Sequence, residues 1–148
     1  TSGHGALSEN YFLDDGAYMA VKLLIAAALA KKEGKQLQSF VAKLEPEFES
    51  REYRMKLSGE DFKAYGQDVL KAFEERAKEQ GITVAPNSYE GVRLAFASEE
   101  VKGWALLRLS LHDPLMPLNL EGEREGDCDK MVEIVRGLLT GFDQLAVI

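Results

Sequence analysis

The stretch from Trp104 to Pro114 reads Trp-Ala-Leu-Leu-Arg-Leu-Ser-Leu-His-Asp-Pro and holds the side chains best suited to chemistry. On an extended strand Leu107 and Leu109 face one way, while Leu106, Arg108 and Ser110 face the other. Arg108 then stands beside the Ser110 hydroxyl at the point where a strand opens into a loop, and His112 takes the next alternate position. A guanidinium fork, a hydroxyl, an imidazole and loop amides can together hold a phosphate through charge-assisted hydrogen bonds. From spacing alone the plainer alternative is an Arg108 paired with a nearby carboxylate such as Asp113.

Other reactive residues are sparse. Cys128 is the single cysteine, so no internal disulfide is available, which fits a reducing cytoplasm. Asp127 and Asp129 flank it, and negative neighbours suppress a thiolate. Two histidines and one cysteine make a structural zinc site a poor reading. Glu121, Glu123, Glu125, Asp127 and Asp129 form an acidic run without the interleaved glycines of a calcium loop, and are read as a solvated helix start. A net charge of −7 argues against a nucleic-acid surface, which needs a basic stripe, and against an anionic membrane. The most apolar run, residues 21–30, contains Lys22 and ends at Lys31 and Lys32, which suits a buried helix better than a membrane span.

The elements that would position these groups fall into two sets. Asp14 or Asp15 caps a helix over residues 17–32 that is apolar almost all round, and Gly34 closes it. Leu37, Phe40, Val41 and Leu44 have the spacing of a short amphipathic helix, stopped at Pro46, and residues 45–50 read as a linker. Then the pattern changes. Residues 51–57 alternate like a strand, and Ser58 with Asp61 resembles a capping box. Phe62, Tyr65, Val69, Phe73 and Ala77 mark one stripe of a helix that ends at Gly81. Strands are expected at 82–85, around 92–96, at 104–109 and at 115–121, the last at an edge or with Pro117 at its start. Met131, Ile134, Val135, Leu138 and Phe142 mark a final helix. The expected class is α+β: helices packed on a small antiparallel sheet, preceded by a two-helix segment that has no sheet of its own.

Three sequence pieces carry a resemblance. Arg108-x-Ser110-x-x-Asp113-Pro114, preceded by Gly103-Trp104, resembles the phosphate-binding loop in the last domain of the α-D-phosphohexomutases, commonly Arg-Pro-Ser-Gly-Thr-Glu-Pro. Ser2-Gly3-His4 followed by Asp14-Asp15-Gly16 resembles that family's sugar-recognition loop and the helix start after it. Glu90-Gly91-Val92-Arg93 is similar to the acidic-Gly-Val-basic strand upstream of the phosphate loop. The pieces occur in family order. They imply that residues 1–46 are the end of a sugar-binding third domain, and that residues 47–148 are the phosphate-binding fourth domain, of TATA-binding-protein-like fold. The chain would then begin inside the sugar loop, just after its glutamate.

What the resemblance implies about function is specific. The parent protein would be a phosphoglucomutase or phosphomannomutase of the cytoplasm, an isomerase interconverting hexose 1-phosphate and hexose 6-phosphate. Its phosphoserine and Mg2+ ligands would lie in earlier domains, with hexose 1,6-bisphosphate as intermediate and activator. Arg108, Ser110, Leu111 and His112 would hold the phosphate that is not transferred, Leu111 through its backbone amide. His112 stands where threonine is usual and Asp113 where glutamate is usual. Ser2 and His4 would read the sugar. The chain alone would have no mutase activity and would associate with itself through residues 17–44, whose apolar helix lacks its sheet. The rival reading is a non-catalytic phosphate- or phosphosugar-binding domain.

Overall fold

A computed structural model describes residues 5–44 and 48–148, and the chain divides into two compact units, Thr1–Pro46 and Glu47–Ile148. The first unit is built on one helix, α1 (Gly16–Lys32). Asp15 caps it by accepting the Tyr18 N–H at 3.0 Å. The other end closes at Gly34, which takes a left-handed φ of 71° while Lys35 donates to the Ala30 carbonyl. The expected second helix does not form. Residues Leu37–Phe40 make only a 3-10 turn, and Phe40 and Leu44 stay exposed. A segment this short repays the cost of nucleating a helix only when its apolar face is packed.

The second unit is α+β. Its five strands are β1 (Glu49–Lys56), β2 (Thr83–Val84), β3 (Gly91–Ala97), β4 (Lys102–Arg108) and β5 (Leu115–Gly122). They form an antiparallel sheet in the order β1-β5-β4-β3-β2. Helix α2 (Phe62–Glu79) carries the chain from β1 at one edge to β2 at the other, and α3 (Asp127–Leu138) follows β5. Asp61 rather than Ser58 caps α2, accepting the Ala64 N–H at 3.1 Å, while the Ser58 hydroxyl donates to the Gln144 carbonyl. Val69, Phe73 and Ala77 of α2 and Met131, Val135 and Leu138 of α3 close over Leu94, Ala105, Leu107, Leu118 and Leu120 to make the core. The alternation expected of β3 holds: Val92, Leu94 and Phe96 are buried and Arg93 is exposed.

Two strand expectations need correction. The strand β1 begins at Glu49, inside the run read as a linker, because the Glu49 carboxylate accepts the N–H groups of Gly126 and Cys128 at the start of α3. The strand β5 is interior rather than an edge, and Pro117 sits well inside it, opposite Arg54. The β4–β5 ladder stops at Leu107 and Leu118, one residue short of Pro117. A residue lacking an N–H is tolerated where the ladder no longer needs one.

Candidate anion-binding cleft

Arg108 is the last residue of β4 and pairs across the sheet with Gly91, the first of β3. A Cβ at Gly91 would lie 2.2 Å from the Leu107 carbonyl oxygen and 2.8 Å from the Arg108 Cα. Only glycine lets the two backbones approach this closely, so Gly91 fixes where Arg108 emerges. Gly66 plays the matching part on α2, where a Cβ would stand 2.5 Å from Leu109 Cδ1. The helix therefore packs tightly against the end of the same strand.

Beyond the strand the loop is held by its own polar groups. The Ser110 N–H donates to the Leu115 carbonyl at 2.9 Å, and its hydroxyl accepts the Asp113 N–H at 3.2 Å. That side chain thus ties the turn from 110 to 113 together. Leu111 is 77% exposed at the turn's tip.

Arg108, Leu109, Ser110 and Leu111 form one wall of a cleft of about 690 Å³, with Lys63, Gln67 and Lys71 of α2 on another and residues 88–92 on a third. His112 is exposed and does not line it. The pairing of Arg108 with Asp113 is not formed, and among the described residues the Arg108 guanidinium has no ion pair or hydrogen bond. The structure thus brings Arg108, Ser110 and Leu111 together. Ser2 and His4 lie outside the described residues.

Reading the sequence missed the α2 wall. Its signal was present: Lys63, Gln67 and Lys71 recur at intervals of four, beside the apolar stripe that marked the helix.

The acidic run has a different fate. Asp127 is fully buried, not solvated, and its carboxylate accepts two bonds of 3.1 Å from the Arg124 guanidinium, which hold its pKa below the usual range. Glu121 accepts the Trp104 indole N–H at 2.9 Å, and Arg93 stacks on the same indole with 4.5 Å between guanidinium carbon and ring centroid. Glu49 is likewise held below the usual carboxylate range, first by the Cys128 N–H and then by Arg51. The Cys128 thiol is buried and pushed up, first by that burial and then by the Glu49 charge, which disfavours the thiolate. Among the described residues no group of three or more His, Cys, Asp or Glu is placed to hold a metal ion, and no helix is long and apolar enough to cross a membrane.

The sequence matches no family model, and no curated protein matches it at a significant level. The fold does match solved structures. One is a phosphoglucomutase/phosphomannomutase family protein from Burkholderia thailandensis, 20% identical, with a TM-score of 0.62 over 98% of this chain. The chain spans 28% of that protein's length. The likeness establishes a shared fold.

Proposed function

We propose that this chain is part of a phosphohexomutase, with residues 47–148 acting as its phosphate-binding domain, TATA-binding-protein-like in fold, and residues 1–46 as the end of a sugar-binding domain. One observation carries the reading: Arg108, without a partner among the described residues, lines a cleft whose adjoining turn is already organised by Ser110. A guanidinium left unneutralised beside a preformed loop is suited to a phosphate monoester. The three sequence pieces in family order and the shared fold support the same assignment.

In this reading the loop grips the phosphate that is not being transferred. Arg108 supplies the charge and the fork, and the turn that Ser110 holds presents the Leu111 amide. Ser2 and His4 read the sugar hydroxyls, and His112 stands at the loop's outer edge. The activity of the whole protein is interconversion of hexose 1-phosphate and hexose 6-phosphate in the cytoplasm through a hexose 1,6-bisphosphate. Its Mg2+ would stabilise the transferred phosphoryl group. In this reading the ion's ligands belong to other domains of the whole protein, and this chain's share is binding and orientation.

A second reading has its own support. Leu111 is a bulky exposed side chain at the tip of the loop, and His112 lies away from the cleft, so the loop could serve a phosphosugar-binding domain with no catalysis.

Chemical-shift titration with glucose 6-phosphate tests the shared core of both readings. Residues 108–111 move first, with a dissociation constant on the order of millimolar, and Arg108→Ala abolishes the response. A titration unchanged by Arg108→Ala refutes the phosphate site.

A further inference from the structure

The α2 wall of the cleft is chemically unlike the rest of the surface. Lys63, Gln67 and Lys71 stand on successive turns of one helix face and line the same cavity as Arg108. The chain carries 25 acidic residues against 18 Lys and Arg, so a cavity that gathers three cations runs against the background.

These charges are not neutralised from within. Neither Lys71 nor Arg108 forms an ion pair among the described residues, and Lys63 only lies 6.0 Å from the centroid of the Phe62 ring. Glu74, on the same wall, is held by Lys78. Glu90 is the other carboxylate lining the cleft. Like charges collected around one cavity repel until an anion enters. At about 690 Å³ the space exceeds what one phosphate fills and falls in the range of small-molecule sites.

We infer that Lys63 and Lys71 form a second anion subsite, so that the cleft takes an organophosphate with two anionic groups. One phosphate sits at Arg108 and the Ser110 turn, and the second anionic group meets the α2 lysines across a short polar skeleton. Gln67, between the lysines, offers an amide donor and acceptor to that skeleton. This assignment rests on the proposed phosphate site at the loop, and it adds a second anchoring point on α2 for the ligand.

The test compares glucose 6-phosphate with fructose 1,6-bisphosphate by calorimetry on the 148-residue chain. The bisphosphate binds about tenfold or more tightly than the monophosphate. The double variant Lys63→Gln, Lys71→Gln removes that advantage, so that the two probes then bind within about twofold of each other. Both lysines are exposed, so the variant keeps its fold, which an amide fingerprint spectrum verifies. Equal affinity for the two probes in the unaltered chain, or an advantage that survives in the double variant, overturns the subsite while leaving the loop reading intact. If Arg108→Ala changes neither probe, the loop reading falls and the two-subsite cleft falls with it.

Discussion

Helices α1 and α2 have 17 and 18 residues, yet α1 buries only Ala30 while α2 buries Gly66, Val69, Leu70, Phe73 and Ala77. The apolar residues of α1 are no fewer. Val21, Leu23, Leu24, Ile25 and Leu29 are each more than half exposed. In α2 the apolar residues gather on one stripe, so a single sheet face covers them; in α1 they point all round, and no single face is enough. Hydrophobic content therefore sets how much cover a helix needs, and its distribution sets from how many sides. The second unit closes its apolar side chains into one core, whereas the first leaves most of those on its helix exposed.

The largest expected effect lies in that contrast. Phe73→Ala empties a fully buried site in the core and costs about 3–5 kcal/mol of the second unit's stability. At concentrations where the chain is unassociated, Leu24→Ala, at a position 70% exposed, changes stability by no more than about 0.5 kcal/mol. Urea unfolding followed by the fluorescence of Trp104, the single tryptophan, reads the second unit, and far-UV circular dichroism reads both. A Leu24→Ala cost comparable to that of Phe73→Ala would mean that α1 is covered.

The next effect is smaller and concerns what covers α1. Burying a leucine-sized side chain is worth about 1.5–3 kcal/mol, so the exposed set drives association wherever a partner is available. We expect the 148-residue chain to self-associate through residues 17–44, with Leu24→Glu weakening the association by about tenfold or more. Sedimentation at several concentrations measures both. A monomer at every concentration would remove the second copy as the cover.

The same contrast explains what the sequence disclosed. Wherever burial is one-sided, periodicity reported it, in the stripe on α2 and the alternation of β3, and the Asp15 cap is likewise a local signal. Residues 37–44 misled for the opposite reason, since their helical spacing came without packing to support it. The start of β1 and the interior place of β5 depended on distant partners, the α3 amides that Glu49 meets and the β1 strand that lies beside Pro117. In the cleft, Arg108 and Ser110 were legible because they share one strand end. The α2 lysines were not, because nothing local ties a helix face to a loop some forty residues later. Gly66 and Gly91, which bring the two together, disclose their purpose only through the atoms a Cβ would strike.

The smallest expected effect separates the two regions by their carboxylates. Glu9 near α1 and Asp127 at the start of α3 are both held below the usual range, Glu9 chiefly by its hydrogen bond from Lys22 and Asp127 chiefly by that from Arg124. Glu9 is 51% exposed, so water screens its pair, whereas Asp127 is fully buried. A carboxyl whose pKa is lower in the folded state binds its proton less readily there than in the unfolded chain. Its stabilisation is complete above the ordinary carboxylate pKa of about 4 and is lost as pH falls through the folded value. The urea midpoint of the second unit should thus fall below about pH 4, and Asp127→Asn should lower the midpoint at neutral pH while flattening that acid limb. Glu49 titrates in the same direction, so part of the slope remains in the variant. Glu9→Gln should leave the midpoint unchanged at every pH. An acid limb equally steep with and without Asp127 would show that the buried Arg124 pair does not set it, and that burial fails to distinguish the carboxylates of the two regions.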